Sequence, residues 1–168
     1  TQFLVGQDPL RTEWLVHRME EFSRNWSGIA AYAIAGIEMA LLDIKGKALG
    51  VPVAELLGGF GRDEVAMVGY LFIDEPEANA QKAAAFVEAG YTELKLKVGR
   101  GLAIDVEHVA AVRDALGPSV PLYLDFNCAY DVPSAIAVAR ALDPYEIGWL
   151  EEPIPPGDPR ALAEVRRA

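Results

Sequence analysis

Apolar positions recur at two different periods along this chain. Through the first third they fall at helical spacing. "DPLRTEWLVHRMEEFS" (residues 8–23) opens on the helix-start pair Asp-Pro and repeats apolar residues every third or fourth position. The Ala-rich segment Gly28–Leu49 predicts a second helix. "VPVAELLGG" adds a short helical turn, stopped by Gly58 and Gly59. From Arg62 onward the pattern alternates. "EVAMVGYL", "TELKLKV", "VPLYLDFN" and "EIGWLEEP" read as strands. "EPEANAQKAAAFVEAG", "LAIDVEHVAAVRDALG" and "VPSAIAVARALDPY" read as the helices between them, and "DPRALAEVRRA" begins a fourth. Strand–helix–strand crossovers imply an α/β fold, with a parallel sheet and helices packed outside it. The change of period divides the chain into a helical part, 1–60, and a part with four βα-type strands, 61–168. Three and a half βα units do not close a barrel.

Strands of such sheets are buried, so charges inside them carry information. Alternation puts Lys95 and Lys97 on one face and Leu94, Leu96 and Val98 on the other. Tyr123, Asp125 and Asn127 share a face of the third strand. Ile147, Trp149 and Glu151 share one on the fourth, with Leu150 and Glu152 opposite. The charges collect toward the C-terminal strand ends, where α/β folds build their sites. An internal salt-bridge network is the structural alternative, but buried ion pairs cost several kcal/mol of desolvation per ion. The set also fits a reaction. Asp125 and Glu151 are hard oxygen donors suited to Mg²⁺. A lysine becomes a general base when burial and nearby positive charge lower its pKa from about 10.4. Removal of the proton α to a carboxylate gives an enediolate, and a lysine base with Mg²⁺ is a known pattern for that step. Alternation alone leaves open which lysine is the base.

Composition narrows the classes. The chain has 168 residues, 52% of them hydrophobic, with 25 acidic against 15 basic residues and a net charge of −10. That balance disfavours nucleic acid and anionic membranes as partners. "GIAAYAIAGIEMALLDIKGKALG" is broken by Glu38, Asp43, Lys45 and Lys47, so a buried soluble helix is expected there rather than a membrane span. Cys128 is the single cysteine, which excludes an internal disulfide and fits a reducing compartment. The first ten residues lack the basic start and apolar core of a signal peptide, so a cytoplasmic location is expected. The glycosylation pattern "NWS" at Asn25 then carries little weight. No Gly-x-Gly-x-x-Gly follows the first strand and no P-loop occurs. "GGFG" at Gly58–Gly61 reads as a hinge.

With these residues in hand, the chain resembles the mandelate racemase/muconate lactonizing enzyme family of the enolase superfamily. "IAGIEMALLDIKGKALGVPVAELLGG" is similar to the end of that family's capping domain and the entry to its barrel. "KLKVG" resembles its Lys-x-Lys on the second barrel strand, "DFN" its Asp-x-Asn on the third and "WLEEP" its Glu-Glu-Pro on the fourth. The resemblance implies part of a modified TIM barrel of the (β/α)7β type behind a helical remnant of an α+β cap. It implies Lys97 as the base and Lys95 as the charge beside the substrate carboxylate. It makes Asp125 and Glu151 metal ligands for Mg²⁺ and Asn127 an orienting group beside them. A small carboxylate is the implied substrate, and the complete protein is expected to be a homo-oligomer. A third metal ligand and an opposing acid or base would lie on later strands. The reaction implied is acid-sugar dehydration or 2-hydroxy-acid racemisation. Dipeptide epimerisation or muconate-type cycloisomerisation is the alternative, and a non-catalytic piece of a split barrel is the rival class.

Remaining residues carry less. Glu152 points away by alternation and reads as structural. Tyr123 and Trp149 face the site side but deeper, as packing. Tyr70 and Phe72 are candidate substrate contacts. Cys128 lies near the mouth, and His17 and His108 read as surface or packing groups.

Overall fold

The computed structural model describes residues 4–25 and 28–167. The "NWS" pattern therefore runs into residues outside those described. Contacts divide the chain into two units, Thr1–Val65 and Ala66–Ala168.

The first unit is helical: α1 (Thr12–Ser23), α2 (Ile29–Leu49) and the single turn α3 (Val53–Leu56). α1 starts four residues later than the Asp-Pro signal indicates. Asp8 instead forms a local turn, its side chain accepting from the Leu10 N–H at 2.9 Å and its carbonyl from the Arg11 N–H at 3.2 Å. α1 buries Leu15 and Met19, and α2 buries Leu41. The expectation of a buried α2 needs correction. Ile29, Tyr32, Met39 and Leu49 are exposed. A helix that is apolar all round needs partners all round, and two packed helices cover one stripe of each other.

The second unit is a four-stranded parallel sheet in the order β1-β2-β3-β4. Its strands are β1 (Gly69–Leu71), β2 (Leu94–Lys97), β3 (Leu122–Asp125) and β4 (Leu150–Glu151). The helices α4 (Pro76–Glu88), α5 (Leu102–Leu116) and α6 (Val132–Leu142) connect them. α6 starts at an Asp131 cap whose side chain accepts from the Ser134 N–H at 2.9 Å. A 3-10 turn (Asp143–Tyr145) extends α6, and α7 (Pro159–Arg167) follows β4.

Every strand is shorter than its sequence pattern. β1 begins only at Gly69, whose N–H reaches the Glu93 carbonyl just before β2 starts, and Val65 and Met67 ahead of it are exposed. β4 is bracketed by two bonds, Leu124 N–H to the Trp149 carbonyl and Phe126 N–H to the Glu151 carbonyl.

The sheet's two faces differ. Leu94, Leu96, Leu122 and Leu124 are fully buried against Val109, Val112 and Leu116 of α5 and Val138 and Leu142 of α6. The residues alternating with them, Lys95, Lys97, Tyr123 and Asp125, line the other face. The sheet is thus apolar on its helix side and polar on the side a barrel would enclose. At the opposite end from the charges, Arg113 of α5 is buried and donates to four carbonyls, those of Tyr145, Gly117, Val120 and Glu146, at 2.7–3.2 Å. His108 is buried, its Nε2 paired with the Asp74 carbonyl, whereas His17 lies on the exposed face of α1 near Glu21. Among the described residues no helix is long and apolar enough to cross a membrane.

Candidate active site

Register builds the site. Lys97 of β2 pairs with Asp125 of β3, and Asp125 pairs with Glu151 of β4. Lys95, two residues back, projects from the same face. Three neighbouring strands therefore bring two amines and two carboxylates together.

Asp125 sits at the centre and is buried. Its Oδ2 accepts from Lys95 Nζ at 2.9 Å and from Lys97 Nζ at 2.7 Å. The Tyr70 hydroxyl also donates to Oδ2, at 3.4 Å. Its other oxygen accepts the Asn127 N–H at 3.0 Å. Lys95 Nζ bonds Glu151 Oε2 at 2.6 Å as well. Lys97 Nζ donates to Asn127 Oδ1. The Tyr70 ring lies beneath both amines, its centroid 5.4 Å from Lys95 Nζ and 5.9 Å from Lys97 Nζ, where its π face meets positive charge.

These contacts set the protonation states. Burial pulls the Lys95 amine down, but hydrogen bonds to Glu151 and Asp125 outweigh it and leave the pKa raised. For Lys97, burial likewise lowers, the bonds to Asp125 and Tyr70 raise, and the balance is again upward. Burial raises the Asp125 carboxyl, yet the bonds from Lys97 and Lys95 bring it down to about 2. In this arrangement both lysines are ammonium ions and Asp125 is ionised.

The donor set fits a divalent cation. Asp125 Oδ2 and Glu151 Oε2, one from each of two adjacent strands, both point at one positive centre, the Lys95 ammonium. Hard oxygens converging on a cation are the chemistry Mg²⁺ takes, and Mg²⁺ commonly uses one or two carboxylates with waters and substrate oxygens. Among the described residues, no group of three His, Cys, Asp or Glu side chains gathers to hold a metal.

The structure brings together Lys95, Lys97, Asp125, Asn127 and Glu151, the five residues named from the sequence for catalytic and metal-ligand roles. It corrects the placement of Glu152. Glu152 follows the last residue of β4 and has a φ of 44°, as Asn127 and Cys128 have positive φ just past β3. That left-handed backbone ends the alternation. Glu152 accordingly turns back to the site rim, its Oε2 3.4 Å from Asn127 Nδ2. Tyr70 enters as a partner of Asp125, which strand parity on β1 alone did not indicate. Phe72 packs on Tyr70, ring centroids 4.8 Å apart. Tyr123 and Trp149 stack at 3.5 Å, and the Tyr123 hydroxyl donates to Glu93. Cys128 donates its N–H to the Glu152 carbonyl at 2.7 Å, and burial and the Glu152 charge push its thiol pKa up, away from a thiolate nucleophile.

Two family descriptions match the chain. Residues 1–58 match the mandelate racemase/muconate lactonizing enzyme N-terminal domain, and residues 78–168 match the enolase C-terminal domain-like family. The D-galactarolactone cycloisomerase of Agrobacterium fabrum is 37% identical over 98% of this chain and 45% of its own length. The D-galactonate dehydratase of Variovorax paradoxus is 40% identical over 90% of this chain and 42% of its own length. The crystal structure of the 3,6-anhydro-D-galactonate cycloisomerase of Zobellia galactanivorans superposes with a TM-score of 0.92 at 34% identity, covering 99% of this chain and 48% of that one. The chain thus spans a little under half the length of these relatives.

Proposed function

The chain belongs to the mandelate racemase/muconate lactonizing enzyme family of the enolase superfamily, and from that premise we propose that it supplies the proton-abstracting side of a carboxylate-processing enzyme. The observation that carries this reading is the convergence of Lys95, Lys97 and Glu151 around Asp125 at the C-terminal end of a parallel sheet. Lys97 takes the proton α to the substrate carboxylate onto its Nζ. Lys95 keeps its positive charge beside that carboxylate and lowers the affinity of Lys97 for a proton. Asn127 orients the Lys97 amine through its side-chain oxygen. Asp125 and Glu151 would hold Mg²⁺, which would supply positive charge beside the substrate carboxylate.

Lys97 cannot accept a proton while Asp125 holds it as an ammonium. With Asp125 and Glu151 taken up as cation ligands, the two amines would lose their carboxylate partners, and Lys97 would serve as the base with Lys95 as its cationic neighbour. A third acidic ligand and the group that returns a proton would come from strands outside this chain.

Similarity to a D-galactonate dehydratase supports an acid sugar as substrate, with loss of a β-hydroxyl after proton removal. Racemisation of a 2-hydroxy acid shares the same first step. Similarity to two cycloisomerases supports the second reading, expulsion of an internal β-leaving group. The test is exchange of the substrate α-proton in D₂O by the full-length protein with Mg²⁺, followed by NMR across a panel of acid sugars and 2-hydroxy acids. Exchange that disappears in Lys97→Ala supports the reading, and retained exchange in that variant refutes the base assignment.

A further inference from the structure

Two residues outside the charged cluster, Asp105 and Tyr130, tie together the loops that leave β2 and β3. Asp105 is on the first turn of α5 and is 1% exposed. Its Oδ2 accepts the Gly99 N–H at 2.9 Å and its Oδ1 the Arg100 N–H at 3.0 Å. Both amides belong to the loop that begins directly after Lys97. Tyr130 follows the "DFNCA" turn of the next βα connection. Its hydroxyl donates to Asp105 Oδ2 at 2.6 Å and accepts the Gly101 N–H at 2.9 Å. One carboxylate and one phenol therefore satisfy three consecutive loop amides, Gly99 to Gly101.

The two loops also touch directly. Gly99 has a φ of 105°, and a Cβ there would lie 2.7 Å from the Ala129 Cβ and 2.9 Å from the Phe126 carbonyl. Only glycine lets the β2 loop approach the β3 turn so closely. Burial and the bond to Asp105 push the Tyr130 phenol to about 12, so it stays a donor across the working range. A buried carboxylate with three donors is expensive to build in desolvation terms. Core packing alone does not call for one at this end of the sheet.

We propose that Asp105 and Tyr130 are positioning residues that lock the end of β2 to the β3 turn, fixing Lys97 relative to Asp125 and Asn127. The inference rests on Lys97 being the base. Lys97 and Asn127 lie on opposite sides of the seam, two residues before Gly99 and three before Tyr130. Removing the Tyr130 hydroxyl frees the Gly101 amide and one lobe of Asp105, and a base displaced by a fraction of an ångström loses rate without losing substrate affinity.

The experiment compares Tyr130→Phe, Asp105→Asn, Asp105→Ala and Lys97→Ala in the full-length Mg²⁺-loaded protein. It reads kcat and KM for α-proton exchange, together with amide hydrogen exchange of the peptide spanning Gly99–Gly101 by mass spectrometry. Tyr130→Phe is expected to lower kcat about tenfold with KM changed by less than about twofold. The loop amides should exchange faster while the folded fraction stays full. Asp105→Asn, which keeps one acceptor, should lose less than Asp105→Ala. Unchanged kcat in Tyr130→Phe alongside faster loop exchange means the contacts are only structural and overturns the proposal. A kcat loss that merely tracks the folded fraction overturns it too. If Lys97→Ala abolishes exchange while Tyr130→Phe is unimpaired, the clamp alone falls. Exchange retained in Lys97→Ala, or absent from the wild type, removes the base assignment and the clamp with it.

Discussion

Lys95 and Lys97 are alike in sequence, in exposure and in their bond to Asp125, yet their neighbours separate them. Lys95 Nζ bridges two carboxylates, whereas Lys97 Nζ has one carboxylate and the Asn127 amide. The more weakly paired amine is the easier one to free as a base. Lys97→Ala should therefore lower α-proton exchange by at least about 10²–10⁴-fold, the usual worth of a general base. Lys95→Ala should raise KM for the carboxylate and shift the acid limb of the rate profile, where Lys97 must lose its proton, to higher pH. An unshifted profile in Lys95→Ala would count against its electrostatic role. The Asp125 carboxyl gives a second test in metal-free protein. Its folded pKa of about 2 lies below the ordinary carboxylate value, so it stabilises the fold above that ordinary value, near 4. This contribution, on the order of 2 kcal/mol, is lost as pH falls through about 2. Urea midpoints of wild type and Asp125→Asn should differ at neutral pH and converge in acid, and a pH-independent gap would sink the assignment. At this scale the sequence was legible as far as alternation held. Lys95, Lys97, Asp125 and Glu151 lie within strands, so parity placed them correctly. Glu152 lies one residue past β4 with a positive φ, and no pattern in the chain announces that turn. Asp105 and Tyr130 carried no signal at all, because their partners are backbone amides and each other, across 25 residues of chain.

Element identity was readable while element length was not. All four strands and the helices between them occur where the change of period placed them. Their ends depend on pairing partners, which a single sequence does not display. β4 shows why. Eight residues read as strand, but only Leu150 and Glu151 form it, and Gly148, two residues ahead of Leu150, is pressed against its neighbour. A Cβ on Gly148 would lie 2.5 Å from Tyr123 Cε1, and Tyr123 in turn stacks on Trp149 at an interplanar angle of 8°. The Gly148 N–H bonds the Leu122 carbonyl at 2.9 Å, so the backbone cannot easily move aside. Gly148→Ala should destabilise the sheet by about 1–3 kcal/mol through overpacking. Denaturant unfolding would measure the loss, and near-UV circular dichroism should show the Tyr123–Trp149 stack disturbed. A variant as stable as wild type, with an unchanged aromatic signal, would show that the ring moves freely and that the stack does not define β4.

For the molecule as a whole, the sheet order β1-β2-β3-β4 leaves β1 and β4 at its two edges among the described residues. β4 is the more exposed hazard. Trp149 and Glu151 turn their carbonyls toward β3, so the Leu150 N–H and carbonyl between them face outward. Beside that edge lies a cavity of about 510 Å³, lined in part by Leu142, Ile147, Leu150, Leu162 and Val165. An unpaired strand flanked by apolar side chains is a template for another chain. The net charge of −10 opposes association at long range, but it is screened beyond about 10 Å at 0.1 M salt, whereas strand pairing and apolar contact act at short range. Residues 1–168 expressed alone should therefore self-associate across the micromolar range, more strongly as salt is raised. Sedimentation velocity would follow the association. Leu150→Pro removes the outward N–H and should shift the equilibrium toward monomer. Salt-insensitive monomers of the wild-type chain would mean that this edge is already protected, and the open half-barrel reading would have to be given up.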